Sequence, residues 1–304
     1  MEDRERQLGI ESAQRRRVGI LAIAAGVTYL VGELLVIVLV NTKAPTVGLL
    51  QGLTPALHGA KQALVDPRLA QARFESSHAI LTILGTLVIA AGLVMMVWPL
   101  RYLRDAEVAR SGRRSRFSKF LAYYVTPTLG VALLAFAIVN TIDAHAFIHQ
   151  ANHTTAGYVS ATGGPVVDVL YIVLSLATLA IAVAVILISM RSMAVGLLTR
   201  VMGILGIFAG VLFVITIVPL PLIQLIWFLG IGMMLLGLGG LALPPAWAAG
   251  EAIPWLSQAQ QQREQRSAAR GGGRQRTPAV VAPAPAPARG SSPASSKKRK
   301  RRRG

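Results

Sequence analysis

The side chains best suited to chemistry in this sequence are five histidines, at positions 58, 78, 145, 149 and 153. His145, His149 and His153 recur at i, i+4, i+8, which on one continuous helix sets them in a single stripe. Adjacent imidazoles at that spacing can share a Zn2+ or Cu2+ ion through ring nitrogens. The stripe covers roughly 12 Å at 1.5 Å per residue, so the three cannot all hold one ion. Asp143 falls about 200° around the helix from His145 and cannot complete the set from there. His78, with Glu75 one turn earlier, is the sequence's source of further ligands, from the preceding helix. His78, His145, His149, His153 and Glu75 therefore form either an open metal or proton-sensing site, or a polar interfacial segment where imidazoles stand in place of Lys and Arg. No His-Glu-x-x-His motif and no Gly-x-Ser-x-Gly elbow accompanies them. The chain has no Cys, which removes thiolate ligands and disulfides. No cofactor is required by this pattern; Zn or Cu is the one it would accommodate.

Two carboxylates fall inside apolar stretches. Glu33 lies past the centre of the first, where a charge is costly and faces a bundle interior or water. It is either a proton or cation relay, or a carboxyl held by Thr28, Tyr29 or a neighbouring helix. Asp168 lies two residues into the fourth stretch, where a capping role accounts for it. Arg200 is near enough to a helix end to reach the interface. At the other extreme of polarity, Lys297, Lys298, Arg299, Lys300, Arg301, Arg302 and Arg303 form an unbroken basic run. Such a run binds anionic lipid headgroups at ~1 kcal/mol per residue near the surface, or RNA phosphates. It is similar in character to the basic tails of bacterial membrane insertases, a likeness confined to these last residues. That likeness implies ribosomal RNA, or a protein partner, as the alternative to lipid.

The elements that must position these residues are apolar helices. The 304 residues are 53% hydrophobic and 14% charged, with a mean hydropathy of +0.55. Globular chains carry roughly 25% charged residues, so this one cannot coat a soluble surface. A helix needs about 20 apolar residues to cross a bilayer, and six stretches approach that: 18–40, 80–97, 120–139, 166–190, 202–218 and 222–243. None alternates in polarity as a barrel strand does. The fold class expected is an all-α integral membrane protein of six transmembrane helices.

Orientation follows the Lys and Arg residues. Of 31, 27 fall in residues 1–17, the second and fourth connections and the stretch after Leu243. Both termini are expected to be cytoplasmic, with the first span retained rather than cleaved. Arg outnumbers Lys by 25 to 6, a bias that GC-rich codons produce, so the expected setting is a bacterial inner membrane. The first outer connection has Leu49, Leu50, Leu53, Leu57 and Leu64 at helical spacing, and Asp66-Pro67 reads as a helix start. The second outer connection is expected to prolong the third helix past Asn140, breaking at Thr162-Gly163-Gly164-Pro165. Pro127 predicts a kink in that helix. Gly203, Gly206 and Gly210, with Gly230, Gly232, Gly237, Gly239 and Gly240, allow close packing of helices five and six, or a homo-oligomer face. Residues 244–304 are a Pro/Ala/Arg-rich tail expected to be mostly disordered.

The organisation expected is thus a cytoplasmic segment 1–17, a membrane domain 18–243 and a cytoplasmic tail 244–304. The function expected is a non-enzymatic structural or accessory membrane component whose tail attaches to anionic lipid. The alternatives are a proton-coupled or metal-linked transporter using Glu33 and Asp168, or a metal-dependent membrane enzyme at the outer histidines.

Overall fold

The computed structural model describes residues 2–45, 68–215, 221–240 and 243–253. The outer-connection leucines, His58, Asp66, Pro67, the Pro219-Leu220 turn and residues 254–304 lie outside that set. Every regular element among the described residues is a helix.

Helix α1 runs from Glu2 to Leu39. A short 3-10 turn, Asn41–Lys43, follows it into extended Ala44, because Pro45 disfavours a helical conformation in the residue before it. Helix α2, Arg68–Ser77, is separated from α3, Ala79–Met95, by His78. Helix α4, Val97–Ser111, continues α3 through Met96 and stops at Gly112, whose φ of 67° suits glycine. Helix α5, Arg116–His149, starts where the Ser115 hydroxyl accepts the Ser118 N–H, and stays helical through Pro127. Helix α6, Thr155–Thr162, is capped by Thr154. Helix α7, Pro165–Ala194, opens with proline in its first turn. Helix α8, Arg200–Val214, is capped by Thr199, and α9, Leu222–Leu236, ends at left-handed Gly237. A five-residue helix α10, Pro245–Ala249, closes the described chain.

Four of these stretches are long and apolar enough to cross a membrane: Gly9–Lys43, Ala79–Ser111, Arg116–His149 and Pro165–Ala194. The last two apolar stretches come out shorter than the sequence suggests. Helices α8 and α9 have 15 residues each, about 22 Å at 1.5 Å per residue, against a hydrocarbon core of ~30 Å. For α9 the reason is Gly237, which turns the backbone six positions before Leu243.

The six apolar helices neighbour one another in a closed cycle: α1 on α3, α3 on α5, α5 on α7, α7 on α8, α8 on α9 and α9 on α1. Trp227, Phe228, Leu93, Met96, Ile181 and Ile231 fill its fully buried interior. Large apolar side chains also point outward, among them Val131, Leu176 and Phe208 at 66, 61 and 58% exposure. Water-soluble surfaces avoid such contiguous apolar exposure.

Glycines set how closely the helices approach. A Cβ on Gly32 would lie 2.6 Å from the Ile89 nitrogen, and one on Gly92 would lie 2.7 Å from the Tyr29 nitrogen, so α1 and α3 touch backbone to backbone. Gly232 of α9 meets the Gly19 carbonyl of α1 in the same way. The glycine-spaced face of α8 is taken up mainly by α7: Gly203 meets Met193, Gly206 meets Ser189 as well as Trp227 of α9, and Gly210 meets Ile186. Of the small residues expected to join helices five and six, Gly206 and Gly230 do so, against Trp227 and Met202, while Gly203 and Gly210 face α7, Gly232 faces α1, and Gly237 and Gly240 have nothing within 4 Å.

Candidate functional site

Contacts between distant residues define two ends of the helix cycle. At one end α2, α6 and the last turns of α5 enclose Phe147, which is fully buried with Leu69, Ala72 and Ala144. The Arg68 guanidinium lies 3.9 Å from the centre of the Tyr158 ring and ties α2 to α6. The four described histidines are here. The rings of His145 and His149 sit 4.5 Å apart, and His145 Nδ1 lies 3.2 Å from the Ser76 hydroxyl.

The expected stripe stops after two members. Helix α5 ends at His149, so His153 leaves the helical register. Its Nε2 lies 3.0 Å from the Ile148 carbonyl, and its ring meets Phe147 edge-on. A carbonyl only accepts, so Nε2 carries the proton, and the ring satisfies one of the carbonyls that a helix C-terminus leaves open.

His78 is likewise engaged on its own helix. Its Nδ1 donates to the Phe74 carbonyl at 2.9 Å and its ring stacks on Phe74 at 4.0 Å. Glu75 accepts from Gln71 Nε2 at 2.9 Å. Among the described residues no three His, Cys, Asp or Glu side chains converge as a metal-ligand group. His145 and His149 are the pair that come together, and two imidazoles fill half of a tetrahedral zinc set. Elemental analysis of the purified chain is expected to find well under one Zn or Cu per molecule. Stoichiometric metal that disappears in His149→Ala would instead place a metal centre at this end.

Within the last two turns of α1, Glu33 faces Tyr29, one turn earlier. Asp168 is exposed in the first turn of α7, where a carboxylate favours the positive end of the helix dipole. The cycle separates α1 from α7, so the two carboxylates do not share a helix–helix interface.

The opposite end holds a site that sequence reading missed. The Arg110 guanidinium pairs with both Glu11 oxygens, at 3.1 and 2.8 Å, and donates to the carbonyls of Ala106 and Ala246 at 2.9 and 3.0 Å. Its side chain is 0% exposed and that of Glu11 13%. Trp247 lies over this group: its ring stacks on Tyr102 at 5.3 Å, and its indole N–H donates to the Leu197 carbonyl at 3.0 Å. The Tyr102 hydroxyl donates to the Glu11 carbonyl at 2.9 Å. Segments from α1, α4, the α7–α8 turn and α10 are thereby locked together, and Ile253 N–H adds a bond to Val195. Glu11 is one of four acidic residues among the first 17, and nothing in that local pattern names Arg110 as its partner.

Around this lock lie Arg101, Arg104, Arg113, Arg114, Arg191 and Arg200. Arg101 stacks on Tyr123 at 4.1 Å and Arg104 pairs with Asp105 at 2.7 Å, binding α4 to itself and to α5. This end carries a concentration of basic side chains.

These features define an all-helical chain with four helices able to cross a membrane and a basic surface at one end. Comparison with protein-family models, with curated proteins and with solved structures finds no match to this chain.

Proposed function

We propose that the chain is a six-helix protein of a bacterial inner membrane with both termini cytoplasmic, a structural or accessory component that attaches to anionic phospholipid through its basic end and polybasic tail. The observation that carries this is convergence. Arg residues from α1, α4, the α4–α5 turn and α7 gather at one end, in keeping with the preference for positive charge on the cytoplasmic side. The other end of the described chain holds Lys43, Arg68, Arg73 and the histidines. Helices α8 and α9 are counted as spans because they close the cycle between α7 and α1.

The test exploits the absence of Cys. A fluorophore on Ser296→Cys, in full-length protein reconstituted in nanodiscs, reports transfer to a headgroup acceptor. Transfer is expected to be strong with about one-third phosphatidylglycerol and weak in pure phosphatidylcholine. It should collapse near 1 M salt, where the Debye length falls to ~3 Å. Equal transfer in both lipids would remove the proposal.

A further inference from the structure

We infer that a cavity at the basic end is a phosphate-binding site. The cavity has a volume of about 760 Å³ and is lined by Glu107, Arg113, Arg114, Ser115 and Arg191, with Arg110 and Ser111 in its wall. It lies where α4 ends, α5 begins and α7 ends. Arg110 is committed to Glu11 and two carbonyls and so fixes the wall rather than offering charge. Arg113, Arg114 and Arg191 have no carboxylate partner among the described residues. Glu107 is 4% exposed and accepts from the Ser111 hydroxyl at 3.0 Å. Three guanidinium groups against one carboxylate leave an excess of two positive charges.

The donors suit a tetrahedral oxyanion. Guanidinium forks pair bidentately with phosphate, and charge-assisted bonds of that kind are about twice as strong as neutral ones. Ser115 accepts the Ser118 N–H as the cap of α5, so its hydroxyl proton remains to be donated. The N-terminus of a 34-residue helix adds its dipole at the same place. The volume admits a headgroup phosphate with its glycerol as well as a free phosphate ion. The lipid arm of this inference rests on the membrane orientation proposed above; the free-phosphate arm does not.

The test is native mass spectrometry of the full chain in detergent with added phosphatidylglycerol, phosphatidylcholine as the neutral control, and inorganic phosphate as competitor. One phosphatidylglycerol is expected to be retained at least about tenfold more tightly than phosphatidylcholine. Arg113→Gln, Arg114→Gln and Arg191→Gln together should abolish that preference, as the loss of charged hydrogen bonds requires. Glu107→Gln should strengthen it by removing the opposing charge, which separates ligand binding from a folding defect. Competition by millimolar inorganic phosphate with no lipid preference would assign the site to a soluble phosphate. If the triple variant binds both probes as the wild type does, the inference is overturned. Loss of the lipid preference only when Lys297–Arg303 are changed to Gln would also overturn it, while leaving the tail's attachment to lipid intact.

Discussion

Arg110→Ala is expected to destabilise the folded chain by about 3–5 kcal/mol, the range for breaking a buried ion pair from one side. The change removes the guanidinium that pairs with both Glu11 oxygens beneath Trp247, and it leaves the Ala246 carbonyl without the Arg110 Nε donor. Thermal unfolding in detergent, followed by tryptophan emission, measures it directly, because Trp247 is part of the affected group. Replacing both charges, as Arg110→Met with Glu11→Gln, should recover much of the loss, since no charge is then buried alone. A loss below about 1 kcal/mol in Arg110→Ala would mean that solvent screens the pair as it screens a surface one.

Gly92→Leu is the second change expected to be severe. Even one carbon on Gly92 would lie 2.7 Å from the Tyr29 nitrogen and 2.8 Å from its Cα. Those are backbone atoms of α1 and cannot rotate aside. The helices must separate, which also loosens Gly32 against Ile89 in the same interface. Overpacking a close-packed interior costs about 1–3 kcal/mol and sometimes more, and Leu at a backbone contact belongs at the upper end. Gly9→Ala supplies the contrast. Nothing lies within 4 Å of a Cβ there, and the residue sits inside α1. Alanine should be neutral or stabilising by up to ~1 kcal/mol through helix propensity. Equal unfolding temperatures for the two variants would show that the α1–α3 contact is looser than described.

The long apolar helices were legible because length and hydropathy alone decide whether a helix can cross a bilayer. The four longest sit where the apolar runs predicted them. The end of α9 was less legible, since Gly237 lies inside a run that stays apolar to Leu243, and only backbone geometry shows that it stops the helix. The histidine stripe failed for a local reason. It assumed helix continuity beyond His149, yet Thr154 caps a new helix by accepting the Gly157 N–H. A Thr three residues before a Gly was visible, but weaker than the i, i+4 pattern of imidazoles. The Arg110 group was not legible at all, because its members lie 99 and 136 positions apart in sequence. Arg110 had been counted as one of several topological cations, a role that says nothing about partners.

The same spacing bears on how the chain is made. Glu11 emerges near the start of synthesis, Arg110 about a third of the way along and Ala246 well past three-quarters. Closing the Arg110 group therefore waits on the last described helix, after the apolar helices have already been translated. A nascent chain halted before Trp247 leaves Arg110 short of an acceptor and Tyr102 without its stacking partner. The last step in assembling this end is thus the burial of one arginine, which requires the chain through Trp247.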